Sequence, residues 1–165
     1  MATVNRNLSE YDRNSIPSGA DFKIGIVVSE WNDSITFNLL KGAKQVLLEN
    51  GVKEENIQVR LVPGAYELPL GAQFFCKHAE VDGVIAIGVV IQGETKHFDY
   101  VCEGASNGLM TVNLKFDTPV SFCVLTDNDE QQSIDRSGGK HGNKGIECAV
   151  ACMKMIDLKR SFKNQ

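Results

Sequence analysis

The sequence predicts an α/β protein in which helices cover both faces of a central parallel sheet of four strands. Short apolar runs alternate with longer amphipathic segments, which is the pattern of successive βαβ units. The first run, Phe22–Ser29, is almost continuously apolar, as expected of a parallel strand buried on both faces. The length of 165 residues suits one domain, 22–165, preceded by a polar arm, 1–21. We expect the arm to be either disordered or ordered by contact with another subunit.

Each predicted element has its own local signal. Ser34 is placed to cap the first helix, which continues to Asn50 and is closed by Gly51. Pro69 fits the first turn of the second helix, where proline is tolerated. The remaining strands are expected at 57–62, 81–87 and 120–125. The remaining helices are expected at 67–77, 98–115, 130–137 and 142–162, and a long loop is expected at 88–97.

Composition restricts the possible partners and compartment. A formal net charge of −4 gives no basic face for nucleic acid. The polar amino-terminal segment lacks the apolar stretch of a signal peptide, and no apolar run approaches the ~20 residues that span a bilayer. The five cysteines lack the paired spacing of a disulfide framework. Cys148 and Cys152 are expected to be buried apolar residues, with a metal pair as the alternative. These features predict a cytoplasmic protein.

The third predicted helix has an interior rich in small residues, Gly104, Ala105, Ser106 and Gly108. Glycine is unfavourable inside a helix by about 1 kcal/mol relative to alanine, so its presence needs a reason. The simpler explanation is close packing on the sheet. The alternative is the close approach of a helix from a neighbouring subunit.

Ligands of open parallel sheets bind outside the carboxyl ends of the strands, so the loops at those ends are the candidate site. The loop after the first strand contains Trp31, which either stacks on a planar ring or belongs to the edge of the core. In the loop after the second strand, Gly64 and Ala65 allow the backbone to approach a ligand. Glu67 either binds hydroxyl groups or only favours the dipole of the helix that it begins.

The loop after the third strand ends with His97 immediately before a helix. Histidine is the usual proton-transfer residue because its ordinary pKa lies near the working pH. Glu94 and Asp99 are close enough in sequence to orient the imidazole. We interpret His97 as functional, against the alternative of an ordinary surface histidine.

The segment 135–145 combines three cations, Arg136, Lys140 and Lys144, with a glycine-rich turn that is expected to begin a helix at Gly142. Free backbone N–H groups, a helix N-terminus and an arginine together favour an anion, most plausibly a phosphate group. A solvated basic turn is the alternative. The segment lacks the spacing of a Walker P-loop, and no dinucleotide fingerprint follows the first strand.

Three motifs in these loops carry a family resemblance: Pro-Gly-Ala-Tyr-Glu-Leu-Pro at 63–69, Gly-Glu-Thr-Lys-His-Phe-Asp-Tyr-Val at 93–101 and Gly-Asn-Lys-Gly at 142–145. In their order and spacing they resemble the lumazine synthases of riboflavin biosynthesis, over about 22–155. The resemblance implies a flavodoxin-like, three-layer α/β/α fold. It also implies a homo-oligomer, a pentamer that in some members assembles further into an icosahedral shell, and the short turn 137–142 resembles the shell-forming members.

The resemblance assigns a role to each candidate residue. His97 is implied as the proton donor and acceptor. The pyrimidinedione substrate, 5-amino-6-(D-ribitylamino)uracil, is implied to contact Trp31, Ala65, Tyr66, Glu67, Val89, Val90 and Ile91. The second substrate, 3,4-dihydroxy-2-butanone 4-phosphate, is implied to contact Glu94 and Thr95. Phe122 and Arg136 are implied to come from a neighbouring subunit, Phe122 to close the ring pocket and Arg136 to hold the phosphate group. Lys144 is implied as a supporting cation.

These roles fit the condensation of an amine with a ketone, followed by loss of phosphate and ring closure, with no metal or organic cofactor. Gln92 and His141 depart from the family pattern, which commonly has a cation and a small residue there. Three other functions compete: dismutation of two lumazines by an archaeal-type riboflavin synthase, flavin binding without catalysis, and an inactive shell protein. The complete loop 93–98 and the basic segment 136–145 argue for a phosphorylated substrate, which lumazine dismutation lacks. Tight flavin binding without turnover would support the second function, and the intact polar set Glu67, Thr95, His97 and Arg136 argues against the third.

Overall fold

The computed structural model describes residues 7–163, so the first six residues of the predicted arm lie outside the described part. Three short 3-10 turns, at Arg13–Ser15, Glu54–Asn56 and Ala65–Glu67, accompany the main elements. The strands are β1 (Ile24–Ser29), β2 (Ile57–Val62), β3 (Gly83–Ile91), β4 (Val120–Asp127), β5 (Ser137–Gly139) and β6 (Gly142–Asn143). The helices are α1 (Asp33–Glu49), α2 (Leu68–His78), α3 (His97–Phe116), α4 (Glu130–Arg136) and α5 (Lys144–Lys163).

The central sheet has the strand order β2-β1-β3-β4, and every pair is parallel. Alternate residues of β1 face opposite layers. Ile26 packs in a core with residues of α1 and α5, whereas Val27 packs in a second core with residues of α2 and α3. Helices therefore cover both faces of a four-stranded parallel sheet. This confirms the predicted three-layer α/β fold of flavodoxin-like topology.

The seam between α1 and α5 depends on a very close approach of the two helices. Asn143 donates through Nδ2 to the carbonyl oxygen of Asn38 at 2.8 Å, and its Oδ1 accepts from the Gly145 N–H at 2.8 Å. Gly42 leaves the space for the Asn143 side chain, since a Cβ on Gly42 would lie 2.6 Å from it. A Cβ on Gly145 would overlap with the carbonyl oxygen of Leu39. The two glycines thus fix how α5 begins.

The third and fourth strands are longer than predicted, and the expected loop at 88–97 shortens to 92–96. The parallel ladder continues beyond Gly88 through Val89↔Leu125 and Val90↔Thr126 to Ile91↔Asp127. Gly88 had suggested the end of a strand, but it is retained inside one because a side chain there would meet Leu68 at 2.8 Å. The paired extension carries both strands past the rest of the sheet.

Two helix starts also differ from the prediction. Ser34 does not cap α1: the N-cap is Asn32, whose φ of 57° lies in the left-handed region. α5 begins at Lys144 rather than at Gly142, because Gly138 (φ 123°) and Gly142 (φ 83°) allow a small antiparallel hairpin of β5 and β6. The predicted closure of α1 is confirmed, since Gly51 follows the helix with a φ of 90°.

The described part of the arm packs on its own chain, which corrects the expectation of disorder or of order supplied only by another subunit. The Leu8 N–H donates to the His141 carbonyl oxygen at 2.8 Å. Arg13 forms an ion pair of 3.2 Å with Glu49 near the end of α1, and the Tyr11 hydroxyl donates to the same carboxylate at 3.1 Å. A hydrogen bond from Gln45 is the largest influence that lowers the pKa of Glu49, and the Tyr11 hydroxyl and the Arg13 charge lower it further.

The cysteines Cys148 and Cys152 are buried free thiols, as predicted. Burial raises the pKa of Cys152 to about 12. Thiolate is the reactive form of cysteine, so Cys152 is chemically inert at neutral pH. Within residues 7–163, no helix combines the length and apolar character that crossing a bilayer requires.

We expect Gly145→Ala to lower the free energy of unfolding by about 1–3 kcal/mol, the usual cost of overpacking a tight contact. The new methyl group would collide with the Leu39 backbone, which cannot move without displacing α1. Gly93→Ala is the matched control, because nothing lies within 4 Å of a Cβ at that position. Urea denaturation at one protein concentration measures both variants, and equal stability of the two would contradict this account of the seam.

Candidate active site

The loops after β1 and β2 run side by side at the carboxyl ends of the sheet. The Glu30 N–H donates to the Val62 carbonyl oxygen at 2.8 Å, and the Trp31 N–H donates to the Pro63 carbonyl oxygen at 3.2 Å. The Trp31 residue is 73% exposed. It therefore does not belong to the core of this chain, and its ring is available to a ligand or to another subunit.

The loop 63–67 is held in shape by Glu67. The Glu67 carboxylate accepts from the Gly64 N–H at 3.0 Å, and the Glu67 N–H donates to the Gly64 carbonyl oxygen at 3.3 Å, so the two residues close the turn. Ala65 is buried next to Gly88, where a Cβ would lie 3.4 Å from it. Glu67 thus has a structural role in the free protein, through one of its two carboxylate oxygens.

Tyr66 and Pro69 explain the small residues of α3. A Cβ on Gly104 would lie 2.6 Å from the Tyr66 ring, and a Cβ on Gly108 would lie 2.6 Å from Pro69. The glycines therefore allow α3 to pack closely on the loop and helix that follow β2. This corrects the simpler explanation, which placed their contact on the sheet itself.

His97 is the first residue of α3 and is exposed. Its backbone N–H donates to the Thr95 hydroxyl at 3.3 Å, so Thr95 helps to set the start of the helix. Glu94 is exposed in the same loop. Neither Glu94 nor Asp99, both within the described residues, is hydrogen bonded to the imidazole. The predicted orienting carboxylate is therefore not supplied by this arrangement of the single chain.

The extended ends of β3 and β4 form the floor beside this loop. Val89 is buried, and Val90 and Ile91 are half-buried. The Gln92 N–H donates to the Asp127 carbonyl oxygen at 2.9 Å. The loop that carries His97 therefore leaves β3 beside Asp127, the last residue of β4.

Arg136 reaches toward the end of β4 from the last turn of α4. Its Nε lies 3.9 Å from Oδ1 of Asp127, and its Nη1 donates to the Gln132 carbonyl oxygen at 2.9 Å. Its side chain is 37% exposed. Sequence reasoning missed Asp127, although a polar residue that ends an apolar strand is the same signal that identified the other loops.

The three cations of the basic segment do not converge. Lys144 is 17% exposed and donates to Glu147 at 2.8 Å. Burial is the largest single influence and lowers the pKa of Lys144, but the hydrogen bond and charge of Glu147 together with the charge of Cys148 raise the pKa overall. Lys140 is exposed in the hairpin turn. Arg136 is the predicted cation whose guanidinium faces the end of β4.

The backbone N–H groups of the segment are also less available than predicted. The Asn143 N–H donates to the Ser9 hydroxyl at 2.9 Å, and the Gly145 N–H donates to the Asn143 side chain at 2.8 Å. The His141 N–H donates to the Asp135 carbonyl oxygen at 2.8 Å. These N–H groups are therefore used within the chain and do not form the free helix start that was predicted at Gly142.

Phe122 is separated from the other ring-binding candidates within one chain. It pairs with Ala86, whereas the candidate Val89 pairs with Leu125 three residues further along the ladder. Three strand residues span about 10 Å. Phe122 is 39% exposed, and its carbonyl oxygen accepts from the Cys148 thiol at 3.4 Å. Phe122 therefore lies on the outer edge strand of the sheet, and its backbone carbonyl oxygen is the group that meets α5.

Among the described residues, 7–163, no three His, Cys, Asp or Glu side chains are grouped to hold a metal ion. Fold and site together define an enzyme-like α/β protein of flavodoxin-like topology, whose exposed polar and aromatic groups gather at the carboxyl ends of parallel strands. Family comparison gives this class a name. A profile of the 6,7-dimethyl-8-ribityllumazine synthase family matches residues 21–160. The chain belongs to this family of transferase enzymes.

Curated relatives agree with the family match, and three of them carry the name 6,7-dimethyl-8-ribityllumazine synthase. The relative from Flavobacterium johnsoniae is 56% identical over 97% of this chain and 84% of its own length. The relative from Christiangramia forsetii is 53% identical over 99% of this chain and 98% of its own length. The relative from Porphyromonas gingivalis is 50% identical over 97% of this chain and 99% of its own length.

We expect Glu67→Ala to destabilise the protein by about 0.5–2 kcal/mol, the range measured for loss of a capping side chain. Glu67→Gln should retain most of this stability, because its amide oxygen can still accept from the Gly64 N–H. Thermal unfolding of both variants measures the difference. If Glu67→Ala unfolds at the temperature of the unmodified protein, the hydrogen bond from the Gly64 N–H to the Glu67 carboxylate does not stabilise the loop.

Proposed function

We propose that the protein condenses 5-amino-6-(D-ribitylamino)uracil with 3,4-dihydroxy-2-butanone 4-phosphate to form 6,7-dimethyl-8-ribityllumazine and release phosphate. This is the penultimate step of riboflavin synthesis. Relatives with this enzyme's name that are about half identical over nearly the whole chain support the proposal. The observation that carries the site assignment is the separation of Phe122 from the candidate residues at the carboxyl ends of the strands.

The first group lies at the carboxyl ends of β1, β2 and β3. There Trp31 stacks on the pyrimidinedione ring, and backbone at Val89, Val90 and Ile91 lines the ring. Ala65, Tyr66 and Glu67 hold the ring and the ribityl chain, and Glu94 and Thr95 contact the butanone phosphate. The exposure of Trp31, Tyr66 and His97 in the single chain supports this use, since a buried side chain could not reach a substrate.

The second group is supplied by a neighbouring subunit and contains Phe122, Arg136 and Lys144. The Phe122 ring closes the pyrimidinedione pocket, and the Arg136 guanidinium holds the phosphate group. Lys144 is a supporting cation whose ammonium already pairs with Glu147. The separation of about 10 Å between Phe122 and Val89 along the ladder supports a site shared by two chains.

His97 moves the protons in this chemistry. Imine formation from the amine and the ketone requires a proton on the departing oxygen, and ring closure requires its removal from nitrogen. Phosphate departs more readily when a guanidinium neutralises its charge, which is the part of Arg136. Holding two reactants together in one site supplies a further large part of the rate. No metal or organic cofactor takes part in this scheme.

We further propose that the chain works in the cytoplasm as a homo-pentamer, and that the pentamers assemble into an icosahedral shell. The short connection between α4 and α5, in which the β5–β6 hairpin adds no inserted residues, supports the shell. The proposal that residues 22–165 fold as one domain accords with the single central sheet. Nucleic acid and membranes have no part in the proposed function.

Mixing the protein with both substrates and following the lumazine product optically tests the reaction. We expect clear acceleration over a protein-free control. His97→Ala should slow product formation by about 10²–10⁴-fold, the usual contribution of a general acid–base residue. His78→Ala, at the exposed end of α2, is the matched control and should act like the unmodified protein. A well-folded oligomer without acceleration would redirect attention to lumazine dismutation or flavin binding.

Complementation tests whether the site is shared. His97→Ala and Arg136→Ala chains, each impaired alone at limiting butanone phosphate, should regain activity when they assemble together. A neighbouring pair that supplies one intact His97 and one intact Arg136 occurs in about a quarter of the sites of a random equimolar mixture. Co-expressed, differently tagged chains provide the mixed oligomer. Activity that stays at the level of the single variants would place both residues in the site of one chain.

A further inference from the structure

A buried polar pair beside Arg136 has no part in the proposed site. Asp127 is the last residue of β4 and is 7% exposed, and Ser133 in α4 is fully buried. The Ser133 hydroxyl donates to Oδ2 of Asp127 at 2.7 Å. A buried carboxylate is expensive unless hydrogen bonds and an opposite charge compensate it. The pair therefore needs an explanation.

The opposite charge is Arg136. Its Nε lies 3.9 Å from Oδ1, the carboxylate oxygen that Ser133 does not use. Ser133 and Arg136 are three residues apart in α4, so both lie on the face of the helix that meets the end of β4. One carboxylate is thus held by Ser133 and itself faces the guanidinium.

The donors of Arg136 divide into two sets. Nε faces Asp127, and Nη1 donates to the Gln132 carbonyl oxygen at 2.9 Å. Nη2 has no hydrogen-bond partner among residues 7–163, although the side chain is only 37% exposed. A guanidinium held at both Nε and Nη1 keeps its Nη2 donors in a defined direction, which suits binding of a phosphate group.

We infer that Asp127, held by Ser133, is a positioning residue that fixes the Arg136 guanidinium for the phosphate group of the substrate. This inference rests on the proposed function, since it needs Arg136 to bind that phosphate. Asp127 itself does not touch the substrate: it is buried behind Arg136, and a carboxylate would repel a phosphate dianion. Asp127 restricts the arginine side chain before the substrate binds. Less conformational entropy is then lost on binding.

Asp127→Asn tests the inference because it keeps the size of the side chain and an oxygen for Ser133 but removes the charge that faces Arg136. We expect the KM for the butanone phosphate and the inhibition constant of inorganic phosphate each to rise about tenfold. A small displacement of the guanidinium has an effect of this order. The KM for the pyrimidinedione should not change. Glu130→Gln, the same chemical change in the first turn of α4, is the control and should leave all three constants unchanged.

The outcomes separate the inference from the proposed function. If Arg136→Ala leaves phosphate dependence unchanged, the proposed role of Arg136 fails. If Arg136→Ala weakens phosphate binding but Asp127→Asn does not, the positioning role alone is overturned. It is also overturned if Asp127→Asn raises both KM values equally, or if phosphate binds more tightly. Should Asp127→Asn not fold, Ser133→Ala replaces it, with the same selective loss expected and an unchanged phosphate constant contradicting the inference.

Discussion

The parallel pairing of β3 with β4 beyond the rest of the sheet places most of the candidate site. The ladder continues to Ile91 and Asp127, so the last residues of both strands lie beside each other. From this edge the backbone of Gln92 begins the loop to His97, and Asp127 faces Arg136. A hydrogen-bonded ladder is rigid, so it fixes the position of the loop relative to the Arg136 guanidinium. Shortening either strand would move both together.

A second constraint lies at the start of α5, where Asn143 bonds to α1, to β5 and to the N–H of Gly145. These bonds are made inside the chain, and the turn loses the free N–H groups that a phosphate would use. The glycine-rich motif is therefore explained by close packing at Gly42 and Gly145 and by the left-handed turn at Gly142. In the proposed function, the phosphate group is therefore bound by Arg136, which precedes the motif.

Local sequence signals predicted the elements whose bounds depend on neighbouring residues. They did not predict the strand lengths that depend on long-range pairing. The bounds of β2 and the closure of α1 by Gly51 follow from apolar runs and a left-handed glycine, and the structure has them as predicted. The length of β3 depends on a partner more than thirty residues away, so Gly88 was a misleading stop. The contact of Asp127 with Ser133 depends on how α4 turns back on the end of β4, whereas the Lys144–Glu147 pair follows the i,i+3 spacing of a helix. The motifs identified the residues of the candidate site, and the fold showed which of them lie close together.

The distance of Phe122 from the end of β3 has a consequence for how this protein can evolve. In the proposed site, which is divided between neighbours, a single folded chain holds two incomplete halves. Association then becomes a condition of turnover and not only of stability. A surface substitution that weakens subunit contact would silence two sites at once, while leaving the chain itself well folded. Substitution of an interface residue far from any substrate would then reduce activity as substitution of His97 does.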